Sequence, residues 1–227
     1  MARGRADFLL AEPFYETVKA GKAWTPSPGQ LCWANVVYPY DPPKVLEFVT
    51  GSYSAWTHEA RFKIRTLTPG VLPSSHMPIQ ELGLQMDENL FVHRGKRRLV
   101  LILGSAPTRW YQGANDDTFL VAPCYSFKAR HHQRFILEVQ AFLHPNLFYL
   151  PDNPLHGHEG AVRLEFIQPT TRRGLHALLR DEMHTSLSPS AYRYLVYHLA
   201  RYVNGAHWDE GIRADMETYA DLLLTEG

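Results

Sequence analysis

Residues 97–104 read RRLVLILG, and residues 118–127 read TFLVAPCYSF. The first run is continuously apolar from Leu99 to Leu103 and stops at Gly104. That length suits a strand buried on both faces and is short for a core helix. The second run, rich in β-branched and aromatic side chains, reads as another strand. Between them, residues 104–117 collect Gly, Ser, Pro, Asn and Asp, the composition of a loop.

Working outward, LCWANVV (31–37) reads as a further buried strand, closed by Pro39. Residues 45–49 read as a strand, and RFKIRTL (61–67) sets Phe62 and Ile64 against Lys63 and Arg65, the period-two pattern of a half-exposed strand. Phe135–Val139 and AVRLEFI (161–167) are expected to be strands as well. Pro13 at a first-turn position and Gly21 as a stop predict a short helix over residues 13–20. Several short strands joined by irregular loops indicate a barrel or sandwich rather than alternating βαβ units. The C-terminus is helical. Ser188 is a natural N-cap with Pro189 behind it, Ala191, Leu195, Leu199 and Tyr202 recur at helical spacing, and Asn204-Gly205 ends the run. A last helix over 209–224 places Ile212, Met216, Tyr219 and Leu223 on one face. Both stripes read as faces packed on the β core.

Lys+Arg and Asp+Glu are 23 each, so the formal net charge is zero, which argues against strong non-specific nucleic-acid binding and leaves room for a local basic patch. Two cysteines, Cys32 and Cys124, supply neither a disulfide framework nor a zinc site and are expected to be reduced and buried. The N-terminal apolar run is interrupted by Glu12 and Pro13, and no window of eighteen apolar residues occurs. The expectation is a cytoplasmic protein without a membrane span.

Four segments, in order, resemble the MazF/PemK (Kid) toxin family: PGQLCWANVVYP (28–39), GKRRLVLILGS (95–105), FLVAPCYSF (119–127) and GAVRLEFIQPTTRRGL (160–175), followed by SLSPSAYRYLVYHL. The resemblance covers about half the chain and rests on order and spacing. It implies a mainly β protein with C-terminal helices: an SH3-like antiparallel barrel of the MazF/PemK/CcdB kind. One domain spans 1–227, with barrel core 28–203, an insertion at 42–91 and a helical extension at 204–227. It also implies a sequence-selective, metal-independent endoribonuclease acting on single-stranded RNA (mRNA), a type II toxin that is homodimeric, has a cognate antitoxin and needs no cofactor. The alternative is a non-catalytic barrel, either a binding module or a gyrase-directed toxin of the CcdB kind. Arg98 stands where the family has Pro, and Tyr125 where it has Thr, with Ser126 adjacent.

Metal-free RNA cleavage needs a group to take the 2′-hydroxyl proton, another to protonate the leaving 5′-oxygen, and cations to meet the phosphorane charge. Arg163 and Glu165 lie two apart, on one face of a strand. They match an Arg-x-Asp pair of the Kid/PemK branch, which implies Glu165 as base and Arg163 as phosphate partner; a cross-strand ion pair on a solvated face is the competing reading. By the same resemblance Arg97 is catalytic, and the three are expected to converge on one cleft. Ser126 and Tyr125 are candidate substrate contacts, with Arg98 beside Arg97 and Trp110 as a stacking surface. His131-His132 and His156-x-His158-Glu159 lie in expected loops; the latter lacks a third metal ligand at any recognisable spacing.

Overall fold

The computed structural model describes residues 12–19, 24–38, 44–48, 62–66, 91–106, 117–151, 159–176 and 183–226. The elements in chain order are β1 (Tyr15–Lys19), β2 (Leu31–Val37), β3 (Lys44–Phe48), β4 (Phe62–Thr66), β5 (Phe91–Val92), β6 (Gly95–Ala106), β7 (Thr118–Ser126), α1 (Gln133–Gln140), β8 (Leu147–Leu150), β9 (Gly160–Arg163), β10 (Gln168–Thr171), β11 (Leu175–His176), β12 (Met183–Leu187), α2 (Pro189–Asn204) and α3 (Glu210–Glu226). The protein is mainly β, in three antiparallel sheets, with C-terminal helices.

The chain divides into two compact units, residues 1–36 with 97–227, and residues 37–96. The second contains the span 42–91 read from the sequence as an insertion. Its described strands form a three-stranded sheet in the order β4-β3-β5.

In the larger unit the main sheet runs β11-β2-β6-β7-β9-β8, with β10 also on β7. Among the described residues this path is open, and no pairing joins β11 to β8. The apolar run of β6 has its explanation in two buried faces. Val100 and Ile102 pack with Cys32, Ala34, Val36 and Val121 on one side; Leu101 and Leu103 join Leu31, Ala122 and the aromatic core on the other. The β6–β7 register shifts between Ile102 and Gly104, an irregularity that leaves Leu103 outside the pairing. β7 is the hub: residues 118–121 pair with β10, and Cys124–Ser126 pair with Gly160–Val162 of β9.

The larger core cluster fills with Phe142, Phe148, Tyr149, Leu164, Leu195 and Tyr197, all nearly inaccessible to solvent. α2 starts where its capping residues say. Ser188 Oγ accepts from the Ala191 N–H at 3.3 Å, Pro189 opens the first turn, and Gly205 closes the helix at φ 68°. The expected stripe of α3, Ile212, Met216, Tyr219 and Leu223, is buried.

Three sequence expectations fail. Residues 15–19 form strand β1, paired with β12 from Tyr15↔Leu187 to Lys19↔Met183, not a helix. Tyr, Thr and Val in YETVK favour an extended chain once a partner edge exists. Phe135–Val139 lies in helix α1, where Arg134 and Glu138 pair at helical i,i+4 spacing. A short apolar run does not distinguish strand from buried helix. AVRLEFI is a strand only to Arg163; Leu164–Phe166 form a 3-10 turn that buries Leu164 and Phe166 and leads into β10.

Candidate active-site cleft

The open ends of β6, β7 and β9, with the loop before α1 and the loop after it, enclose a cleft of about 560 Å³. Its cations are Arg98, Lys128, Arg130 and Arg163, its imidazoles His131 and His144, its aromatic rings Tyr125, Phe127 and Phe135, and its carboxylate Glu165. Ser126, Asn146, Leu147 and Ala161 complete the lining.

Backbone packing sets the position of Tyr125. Gly160 pairs with Ser126 across the β7–β9 ladder, and a Cβ at Gly160 would collide with the main-chain oxygen of Tyr125. The Tyr125 ring lies near two guanidiniums. Arg98 lies 5.1 Å and Arg163 5.3 Å from its centroid, cation–π distances. Arg163 also stands 4.5 Å over Phe166, which the 3-10 turn supplies. Aromatic rings thus hold two like charges in the cleft lining.

The 3-10 turn that ends β9 keeps Arg163 and Glu165 together, although they are not two residues of one continuous strand. Arg163 Nε donates to Glu165 Oε1 at 2.8 Å, and its Nη2 donates to the same oxygen. Glu165 Oε2 is buried and makes no hydrogen bond among the described residues. A desolvated carboxylate oxygen without a donor is costly unless a ligand supplies one. The Glu165 side chain keeps only 12% of its accessible surface, against 36% for Arg163, so this is not an ion pair on a solvated face.

Arg97, expected beside Arg163 and Glu165, does not line the cleft. It sits on the opposite face of β6 from Arg98, with its guanidinium 5.7 Å from the Trp33 ring. Alternation along a strand sends neighbours to opposite faces, and the cleft receives Arg98. Tyr125 and Ser126 line the cleft. Trp110, His156 and His158 lie outside the described residues. Among the described residues no group of three or more His, Cys, Asp or Glu is arranged to hold a metal ion. No described helix is long and apolar enough to cross a membrane.

The His144 part of the lining was not read from the sequence. α1 carries Glu138, whose Oε1 accepts from Arg134 Nε and whose Oε2 lies 3.1 Å from His144 Nε2. These two partners hold the Glu138 carboxyl below its ordinary range. Further back, Glu159 accepts hydrogen bonds from Gln140 Nε2 at 3.1 Å and from the Tyr149 hydroxyl, and burial with that carboxylate pushes the Tyr149 phenol well up. Burial raises the Cys32 thiol to about 12 and the Cys124 thiol higher still, so neither is a nucleophile at neutral pH.

Comparison with known proteins finds no matching family model, no matching curated protein and no matching solved structure.

Proposed function

We propose that the chain is a metal-independent endoribonuclease that cuts single-stranded RNA through the ribose 2′-hydroxyl. The observation that carries this reading is the Arg163–Glu165 pair in a cleft whose other ionic groups are cationic, with one Glu165 oxygen making no hydrogen bond among the described residues. Glu165 takes the proton of the 2′-hydroxyl, and Arg163 and Arg98 meet the charge on the phosphorane. Lys128 and Arg130 draw the flanking phosphates, and Phe127 and Phe135 offer faces on which unpaired bases stack. Tyr125 fixes the two guanidiniums and Ser126 offers a hydroxyl at the strand end.

The resemblance of four segments to the MazF/PemK toxins supports the same reading. With it come an SH3-like barrel, a homodimer, a cognate antitoxin and a cytoplasmic site of action. A binding module, including a gyrase-directed one, is the second reading, and the formal net charge of zero favours it. Incubating purified protein with a long mixed-sequence single-stranded RNA in EDTA separates the two. The nuclease leaves 2′,3′-cyclic phosphate and 5′-hydroxyl ends. A clean preparation that leaves the RNA intact is a binding module.

A further inference from the structure

Cleavage by this route needs a second proton-transfer group, because the departing 5′-oxygen is a poor leaving group unless protonated. Two imidazoles line the cleft near Phe135: His131, 5.9 Å from that ring, and His144, 5.3 Å from it. Their hydrogen bonds separate them. His131 Nδ1 accepts from the Lys128 N–H at 2.8 Å, so a doubly protonated ring would lose that bond. His132, the helix N-cap, likewise accepts at Nδ1 from the Arg134 N–H. His144 is different. Its Nε2 lies 3.1 Å from Glu138 Oε2, where an N–H donates to a carboxylate, and its Nδ1 makes no hydrogen bond among the described residues. Only His144 of the three carries a second proton without giving up its existing bond.

The surroundings hold this ring by several independent contacts. Arg134 fixes the other oxygen of Glu138. His198 Nε2 donates to the His144 main-chain oxygen at 3.0 Å, and Arg201 donates to the Phe142 oxygen at 3.1 Å. Phe142 itself adopts φ 56°, a left-handed conformation that bulky side chains rarely adopt. Its buried ring packs 5.3 Å from Phe148 and 5.9 Å from His198. A strained turn held by core packing is thus what carries the chain from α1 to His144.

Resting on the nuclease reading, we propose that His144 is the general acid of this cleft and that Glu138 is its positioning residue. The 2′-oxygen attacks phosphorus as its proton passes to Glu165. The bond from phosphorus to the 5′-oxygen breaks, and that oxygen takes the Nδ1 proton of the His144 imidazolium. One strand then ends in a 2′,3′-cyclic phosphate and the other in a 5′-hydroxyl. Glu165 holds one proton more and His144 one fewer, and exchange with water restores both.

The test uses one RNA made in two forms, with oxygen or sulfur at the 5′-bridging position of the cleaved bond. A thiol has a pKa of about 8.5, so a thiolate departs without a proton donor. His144→Ala and His144→Asn, each checked for wild-type melting, should cleave the oxygen substrate about 10²–10⁴-fold more slowly than wild type. On the sulfur substrate both should come within about tenfold of wild type, whereas Glu165→Gln stays slow on both, since its loss is at the nucleophile. Glu138→Gln should show a smaller loss on oxygen that also disappears on sulfur. His144 variants equal to wild type on oxygen, or equally slow on both substrates, overturn the assignment while leaving the nuclease reading intact. Wild-type protein that cuts neither substrate removes the nuclease reading, and this proposal with it.

Discussion

The imidazole Nε2 of His198, on α2, donates to the main-chain oxygen of His144 at 3.0 Å and so ties the helical layer to the wall of the cleft. His198 is fully buried, its Nδ1 has no partner among the described residues, and burial pulls its pKa down to about 4. In the unfolded chain the group titrates near 6.5. Between these values the unfolded state binds the extra proton, so stability is complete above about 6.5 and falls as the pH drops toward 4. Denaturant melts from pH 7 to pH 4 should lose on the order of 3 kcal/mol from this group. In His198→Gln that part of the slope should vanish, and an unchanged slope would place the titration elsewhere.

Gly160 and Tyr125 meet without room for a side chain. Gly160→Ala must push β9 from β7 or break the ladder at Ser126, which overpacking data put at about 1–3 kcal/mol. Thermal melting should show the loss. RNA cleavage should fall as well, because the Tyr125 ring packs against both guanidiniums.

Arg98 and Arg97 are neighbours on opposite faces of β6, and they should respond differently to substitution. Arg98→Ala should slow RNA cleavage by about 10²-fold, the cost of one donor to a transition-state anion. Arg97→Ala should show a clearly smaller loss. The reverse order, measured as kcat/KM on one oligonucleotide, would return the phosphate contact to Arg97.

Ser188→Ala removes the acceptor for the Ala191 N–H and should cost about 1 kcal/mol, read as a lower denaturation midpoint with an unchanged slope.

How much of this could be read in the sequence depends on the kind of signal. β2, β6 and β7 were legible because apolar-rich runs of strand length have few other uses, and α2 because Ser188-Pro189 and Gly205 mark both ends. α1 was not, since five apolar-rich residues fit either period. That error hid the Glu138–His144 pair, which meets only if a helix ends between the two residues. The Arg163–Glu165 pair was found, although by a turn rather than by strand alternation. Whether Arg97 or Arg98 faces the cleft was unreadable, because a strand buried on both sides carries no polar alternation to mark its faces.

Glu165 carries the central claim. It is a half-desolvated carboxylate with one oxygen on Arg163 and the other awaiting a donor. The direct measurement is the single-turnover rate of cleavage of one RNA oligonucleotide in EDTA by wild-type protein and by Glu165→Gln, which keeps the shape and removes the base. The expected result is cyclic-phosphate product from wild type and a rate about 10²–10⁴-fold lower from the variant. Equal rates from the two proteins, or activity that disappears with EDTA, would contradict it.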